Sequence, residues 1–183
     1  MDNGASSYRR FLEGDESAFD DVIKELYSGL VFFIEGYVHD IHAAEDIAMD
    51  AFADLIVHRH RYNFKVSLKT YLYTIGRSRA LDSIRRKKLV SLVGIEEAEA
   101  LPSVEDIPED SLVADERKKA VHSAISRLPK DMRAAVHLVY FEGMTYSDAA
   151  KILKKTPKQV DNLLFRAKKE LRVILGKAGE LFI

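Results

Sequence analysis

The chain has 183 residues, enough for one large domain or two small ones, and its 47% hydrophobic share is that of a protein that buries a core. It has no cysteine, which excludes disulfides, thiol nucleophiles and cysteine-ligated zinc. The opening MDNGASSYRR carries no apolar signal region, and the most apolar run, Leu30–Ile34, is far too short to span a bilayer, so a cytoplasmic protein is expected.

A formal net charge of −1 hides a sorting of signs along the chain. Met1–His60 has 13 acidic and 4 basic residues; Arg61–Lys88 has 9 basic and only Asp82 acidic. Leu89–Glu116 has 9 acidic and none basic, and Arg117–Ile183 has 15 basic and 6 acidic. Two basic segments imply two polyanion contacts, and the acidic blocks between them limit indiscriminate nucleic-acid binding. Chance clustering on solvated helix faces is the alternative.

In chain order, Tyr8–Gly14 suits a short helix, and Asp15 or Ser17 can cap a longer one. Phe19, Val22, Ile23, Leu26, Leu30, Phe33, Ile34 and Tyr37 follow helical spacing and predict a buried helix to about Val38, with His39–His42 as the turn. His39 and His42 lack a third ligand for a metal site. Ala43–Arg61 predicts a second helix with Ile47, Ala51, Leu55 and His58 in one stripe and Phe52 and Ile56 beside it. Its other face carries Glu45, Asp46, Asp50 and Asp54. With no histidine or nucleophile near them, these carboxylates suit general acid–base chemistry poorly; they form a solvated face or a dock for a basic partner.

After a polar turn at Tyr62–Ser67, with Ser67 or Thr70 as cap, Leu68–Lys88 predicts a third helix that mixes aromatics with bases. Arg77, Arg79, Arg85, Arg86 and Lys87 can hold phosphates, while Tyr71 and Tyr73 either stack on unpaired bases or pack in the core. Leu89–Ser111 is acidic, contains Pro102 and Pro108 and lacks an apolar period, so it reads as a linker between two small helical domains, 1–88 and 112–183. Helices are then expected over Leu112–Arg127 and Lys130–Phe141, broken at Leu128-Pro129 and stopped at Glu142-Gly143.

Met144–Leu175 carries the clearest local signal. Two helical patterns meet at Lys154-Lys155-Thr156-Pro157. Thr156 can cap the second helix, Pro157 fits its first position, and Gln159 completes a capping box. Val160, Leu163, Leu164, Ala167 and Leu171 face inward, and Lys158, Gln159, Asn162, Arg166 and Lys169 lie on the other face. This is the pattern of a helix-turn-helix with Pro157–Leu175 as recognition helix in a major groove, or of an amphipathic hairpin with a solvated basic face.

The whole chain resembles a bacterial extracytoplasmic-function (group 4) sigma factor. The resemblance rests on AAEDIAMDAF (Ala43–Phe52) and SLKTYLYTIGRSRALDSIRRKK (Ser67–Lys88), similar to the family's region 2, and on Leu128–Leu171, similar to region 4. Departures are Met49 in place of a frequent glutamine, Tyr71 for tryptophan, Ser78 for asparagine, and Asp161-Asn162-Leu163 for a Lys-Ser-Arg pattern. Asp161 either accepts from a cytosine amino group or points away from the DNA.

The resemblance implies an all-α, two-domain protein that does no chemistry itself, needs no cofactor or metal and does not insert into membranes. Glu45, Asp46 and Asp50 would bind the β′ clamp helices of core RNA polymerase. The loop Arg61–Ser67 would capture a flipped base of the −10 element, with Asn63 and Lys65 as its contacts, and Arg77, Arg79, Arg85, Arg86 and Lys87 would hold phosphates around the opening duplex. The acidic linker would run through polymerase channels otherwise used by RNA. Pro157–Leu175 would enter the −35 major groove while the outer face of region 4 meets the β flap. An anti-sigma factor is a further implied partner. Two rival readings are a stand-alone helix-turn-helix regulator and a polymerase-binding decoy that never opens DNA.

Overall fold

The computed structural model describes residues 4–92 and 120–176, all of their regular structure helical. The chain divides into two compact units, Met1–Leu101 and Pro102–Ile183. Most of the expected linker and the start of the helix expected from Leu112 lie outside the described residues.

The first unit contains α1 (Ala5–Leu12), α2 (Ala18–Val38), α3 (Ile41–Val57), a 3₁₀ turn at Arg59–Arg61 and α4 (Leu68–Leu92). Helix α2 is its scaffold. Phe19, Val22, Leu26, Leu30, Phe33, Ile34 and Tyr37 are all buried, as their spacing predicts, and α1, α3 and α4 pack against it. Each such side chain removed from water is worth about 1.5–3 kcal/mol. Close approach by α4 requires Gly76. A Cβ there would lie 2.9 Å from Leu30 Cδ1 and 3.1 Å from Ile34 Cδ1, both on fully buried side chains.

Three boundaries differ from those the sequence predicts. Helix α3 starts at Ile41 rather than Ala43, because the Asp40 carboxylate accepts the Ala43 N–H at 3.0 Å and caps it. His39, at φ 55°, makes the corner out of α2. Helix α3 also stops at Val57, four residues before Arg61, where the chain tightens into the 3₁₀ turn. Its buried stripe is Ala44, Ala48, Ala51, Phe52 and Leu55. Ile47 is only half-buried and Ile56 is exposed, because the small alanines are what lets α3 lie close on α2. Helix α4 is capped by Ser67, whose hydroxyl accepts the Thr70 N–H at 3.1 Å, and it continues past Lys88 to Leu92. The first four residues assigned to the linker are therefore helical.

The second unit contains helical residues 120–126 (α5), α6 (Lys130–Val136), α7 (Tyr146–Leu153) and α8 (Pro157–Leu175). The helix expected to run unbroken to Phe141 instead widens into a π-helical turn at His137–Phe141, in which the Glu142 N–H reaches the His137 carbonyl. Leu138 stays buried there, while Tyr140 and Phe141 are half-exposed. Gly143 at φ 64° then turns the chain. Thr145 caps α7 by accepting the Asp148 N–H at 3.1 Å, and Lys154 ends that helix at φ 54°. The core joins Met132, Ala135 and Leu138 to Ala149, Ile152, Leu153, Val160, Leu164 and Ala167. Among the described residues, no helix is long and apolar enough to cross a membrane.

The Asp40 cap is testable. The bond from the Ala43 N–H, with Lys87 nearby, holds its carboxyl below the usual carboxylate range despite some desolvation. A folded value lowered in this way adds stability above the ordinary carboxylate range, and that contribution is lost as pH falls through the folded value. Asp40→Ala should lower protection of α3 amides by about 1 kcal/mol near neutral pH, and Asp40→Asn by much less. Hydrogen exchange across Ile41–Val57 should show the gap to Asp40→Ala closing on acidification.

Candidate nucleic-acid interface

Helix α8 is fixed at its start by a complete capping box. Thr156 Oγ1 accepts the Gln159 N–H at 3.2 Å, and Gln159 Oε1 accepts the Thr156 N–H at 2.8 Å. Val160, Leu164 and Ala167 anchor one face in the core. Lys158, Gln159, Asn162, Arg166 and Lys169 are all exposed, so the five residues expected on the DNA face do share the outer side of one helix.

Their states differ. Gln159 has given its carbonyl oxygen to the cap, which leaves its NH₂ group for a base edge. Bidentate adenine recognition by an amide needs both halves. Lys158 Nζ sits 3.0 Å from Asp161 Oδ2, so this carboxylate is paired within its own helix. Phe165, 72% exposed, lies on the same side, three residues after Asn162 and four before Lys169. Its place off the Val160–Leu164–Ala167 stripe is the feature of the sequence that marks it as outward-facing. Lys168 lies over the Tyr140 ring at 5.4 Å, tying α8 to the π turn.

In the first unit the bases of α4 fall into two groups. Arg79 is held by two carboxylates of α3, Asp50 at 3.1 Å and Asp54 at 3.4 Å. Its charge is thereby directed at α3. Arg85 pairs with Asp82 at 3.3 Å, and Lys87 approaches Asp40 at 4.0 Å. Those exposed pairs are worth at most about 1 kcal/mol and can exchange for phosphate. Arg86 and Lys88 are exposed. Arg77 is half-buried, its Nε enclosed without a hydrogen-bond partner. Tyr73 is fully buried and belongs to the core, whereas Tyr71 is half-buried and lies 5.0 Å from the Tyr62 ring.

The outer strip of α3 is Asp46, Met49, Asp50, Ala53, Ile56 and Val57, all exposed. The expected acidic face is therefore interleaved with apolar side chains. Glu45 sits to one side, half-buried, with His42 at 3.5 Å. Burial first, then the negative field of Glu45 and Asp46, pushes the Tyr27 hydroxyl of α2 above its ordinary pKa.

The loop between α3 and α4 exposes both Asn63 and Lys65. It is internally braced: the Lys65 N–H donates to Asn63 Oδ1 at 3.1 Å, and the Tyr62 hydroxyl donates to the Val66 carbonyl at 2.9 Å. Phe64 between them has φ 59°. Among the described residues there is no group of histidine and carboxylate side chains able to hold a metal ion.

Family models match both units: "Sigma-70 region 2" over residues 22–90 and "Sigma-70, region 4" over residues 118–171. The RNA polymerase sigma-H factor of Pseudomonas aeruginosa is 32% identical over 173 residues, 88% of each chain. The ECF RNA polymerase sigma factor SigW of Bacillus subtilis is 27% identical over 169 residues, 87% of this chain and 90% of that one. Among solved structures, the sigma factor RpoE of Bartonella quintana, in complex with the anti-sigma factor NepR, superposes with a TM-score of 0.69. It covers 87% of this chain and 97% of that chain at 22% identity, a likeness of fold. CnrH in complex with the cytosolic domain of CnrY gives 0.65 at 16% identity, over 96% and 97%.

The capping box sets one prediction. Thr156→Ala should cost α8 about 1 kcal/mol, and Thr156→Ser should cost little. Amide exchange across Pro157–Leu175 is the measurement; equal protection in all three proteins would mean the cap contributes nothing.

Proposed function

This chain belongs to the extracytoplasmic-function family of sigma-70 factors and directs RNA polymerase to promoters without chemistry of its own; from that premise we propose that its two units read the two promoter elements through the surfaces described above. The observation that carries the proposal is α8: capped, anchored on one face, and exposing Lys158, Asn162, Arg166 and Lys169 on the other. A helix so held suits the −35 major groove. Asn162 is its amide reader and Phe165 an apolar contact for a thymine methyl, while Arg166 and Lys169 hold phosphate. Gln159 adds a donor through its NH₂ group.

The first unit takes the −10 element and the polymerase. The loop Arg61–Ser67 captures an extruded base, with Asn63 and Lys65 as its exposed polar contacts. Arg77, Arg85, Arg86 and Lys87 hold backbone phosphates. Arg79 stands apart from them, because Asp50 and Asp54 already hold it. Asp46 and Asp50, with Glu45 at the edge, meet the β′ clamp helices. Met49, Ile56 and Val57 give that dock an apolar component, which a solvated face would not need. The outer face of the second unit meets the β flap, and the acidic linker follows the RNA path. Work inside the cytoplasm follows from this role. One structural relative is in complex with an anti-sigma factor, NepR, and another with the cytosolic domain of CnrY; an anti-sigma partner covering the same faces is proposed here.

Run-off transcription tests the proposal, with bacterial core polymerase and the DNA upstream of this protein's own gene as template. A discrete transcript that requires the protein is expected. Tight duplex binding with neither transcript nor polymerase binding would favour the stand-alone regulator. On the mapped promoter, Asn162→Ala should cost about 1–3 kcal/mol of −35 discrimination. Arg86→Ala should weaken binding across sequences and flatten its salt dependence; an unchanged slope would count against phosphate contact.

A further inference from the structure

Residues 4–21 lie outside the stretch that matches region 2, yet α1 is packed against the loop between α3 and α4 that is proposed above to capture a −10 base. The Tyr8 ring is fully buried, 5.6 Å from Tyr62 and 6.4 Å from Phe64. Its hydroxyl donates to the Leu55 carbonyl at 2.9 Å, which fixes α1 to the end of α3. The next residue, Arg9, is exposed and carries its guanidinium over the Phe64 ring, 5.0 Å from the centroid. The Tyr62 and Phe64 rings lie tilted against each other at 4.6 Å, and the Tyr71 ring of α4 lies 5.0 Å from Tyr62.

The clamp acts on a backbone that would not hold this shape alone. Phe64 has a left-handed φ of 59°, which a bulky residue adopts only where its surroundings enforce it. Asn63 and Lys65 flank it, and the Lys65 N–H bond to Asn63 Oδ1 runs across it. Releasing the Phe64 ring would let the backbone relax and swing both side chains together.

We propose that α1 is part of the −10 reading device: Tyr8 and Arg9 are positioning residues that hold Phe64 in its left-handed conformation and thereby fix Asn63 and Lys65 for base capture. The proposal rests on the reading of Arg61–Ser67 as the capture loop.

The test uses the full chain with core polymerase on the mapped promoter and on versions carrying each other base at the captured −10 position. Arg9 is exposed, so Arg9→Ala should fold. It is expected to narrow the preference for the native base by roughly two- to five-fold, the size of an exposed cation–π contact. Polymerase affinity and salt slope should stay unchanged. Arg9→Lys, which keeps the cation, should restore most of the preference. In a Phe64→Leu background, Arg9→Ala should add nothing, because the ring it acts through is gone.

A flattened salt slope with base preference intact would make Arg9 a phosphate contact and overturn the proposal. So would full preference in Arg9→Ala beside its loss in Asn63→Ala, an outcome that leaves the capture loop standing. If Asn63→Ala and Lys65→Ala also left preference intact, the capture loop itself would fall and the positioning role with it.

Discussion

The first unit depends on how close α4 comes to α2. Gly76 meets Leu30 and Ile34 where any Cβ would collide, so the two helices pack backbone against side chain with nothing between them. A bulkier residue there would either separate the helices or push fully buried side chains off their rotamers, at about 1–3 kcal/mol. Separation would reach the surface. With α4 seated on α2, Arg79 lies within reach of both Asp50 and Asp54 on α3, and the basic turns from Arg85 to Lys88 continue along the same helix. One tight contact in the core thus sets where the acidic strip and the basic run stand relative to each other.

Charge is used differently along α4 beyond that contact. Arg79, held between two carboxylates, has partly lost the freedom to meet a polyanion. Arg85 and Lys87 have single partners at 3.3 and 4.0 Å in exposed settings, where an ion pair has little net value and a phosphate is a ready substitute. These weak internal pairs keep the free protein from displaying a bare basic stripe. Near-neutral net charge has the same effect over the whole chain, and it fits a factor that should engage DNA with polymerase rather than by itself.

Much of this was legible from residue spacing. Helix α2 declared itself through an apolar period followed almost without exception, and α8 through Thr156, Pro157 and Gln159 together. The family was legible as well, because two sets of motifs occur in order across the chain. What spacing missed has physical causes. Asp40 starts α3 early because capping is a side-chain hydrogen bond, which hydropathy does not record. Ile47 and Ile56 were placed inward on hydrophobicity, but the alanines win that face because close packing rewards small volume. The π turn at His137–Phe141 inserts a residue into a period that looked regular. The clamp of α1 on Phe64 joins residues more than fifty positions apart through ring geometry and a positive φ, neither of which is written in local sequence.

The start of the recognition helix makes a trade that shapes what it can read. A first turn with Lys158 and Gln159 exposed looks, as sequence, like two base readers. In the folded helix, Gln159 spends its oxygen on the Thr156 N–H, and Lys158 is paired with Asp161. The capping box satisfies N–H groups at a helix end that would otherwise lack partners, and the Lys158–Asp161 pair adds a weak exposed contact. On the proposed reading of α8, that shifts base reading one turn along, to Asn162, whose amide takes no part in the cap, and to Phe165 beside it. The Asp161 carboxylate, next to the proposed DNA-facing side chains, fits the same reading: its pair with Lys158 is exposed and weak enough to be exchanged for a phosphate.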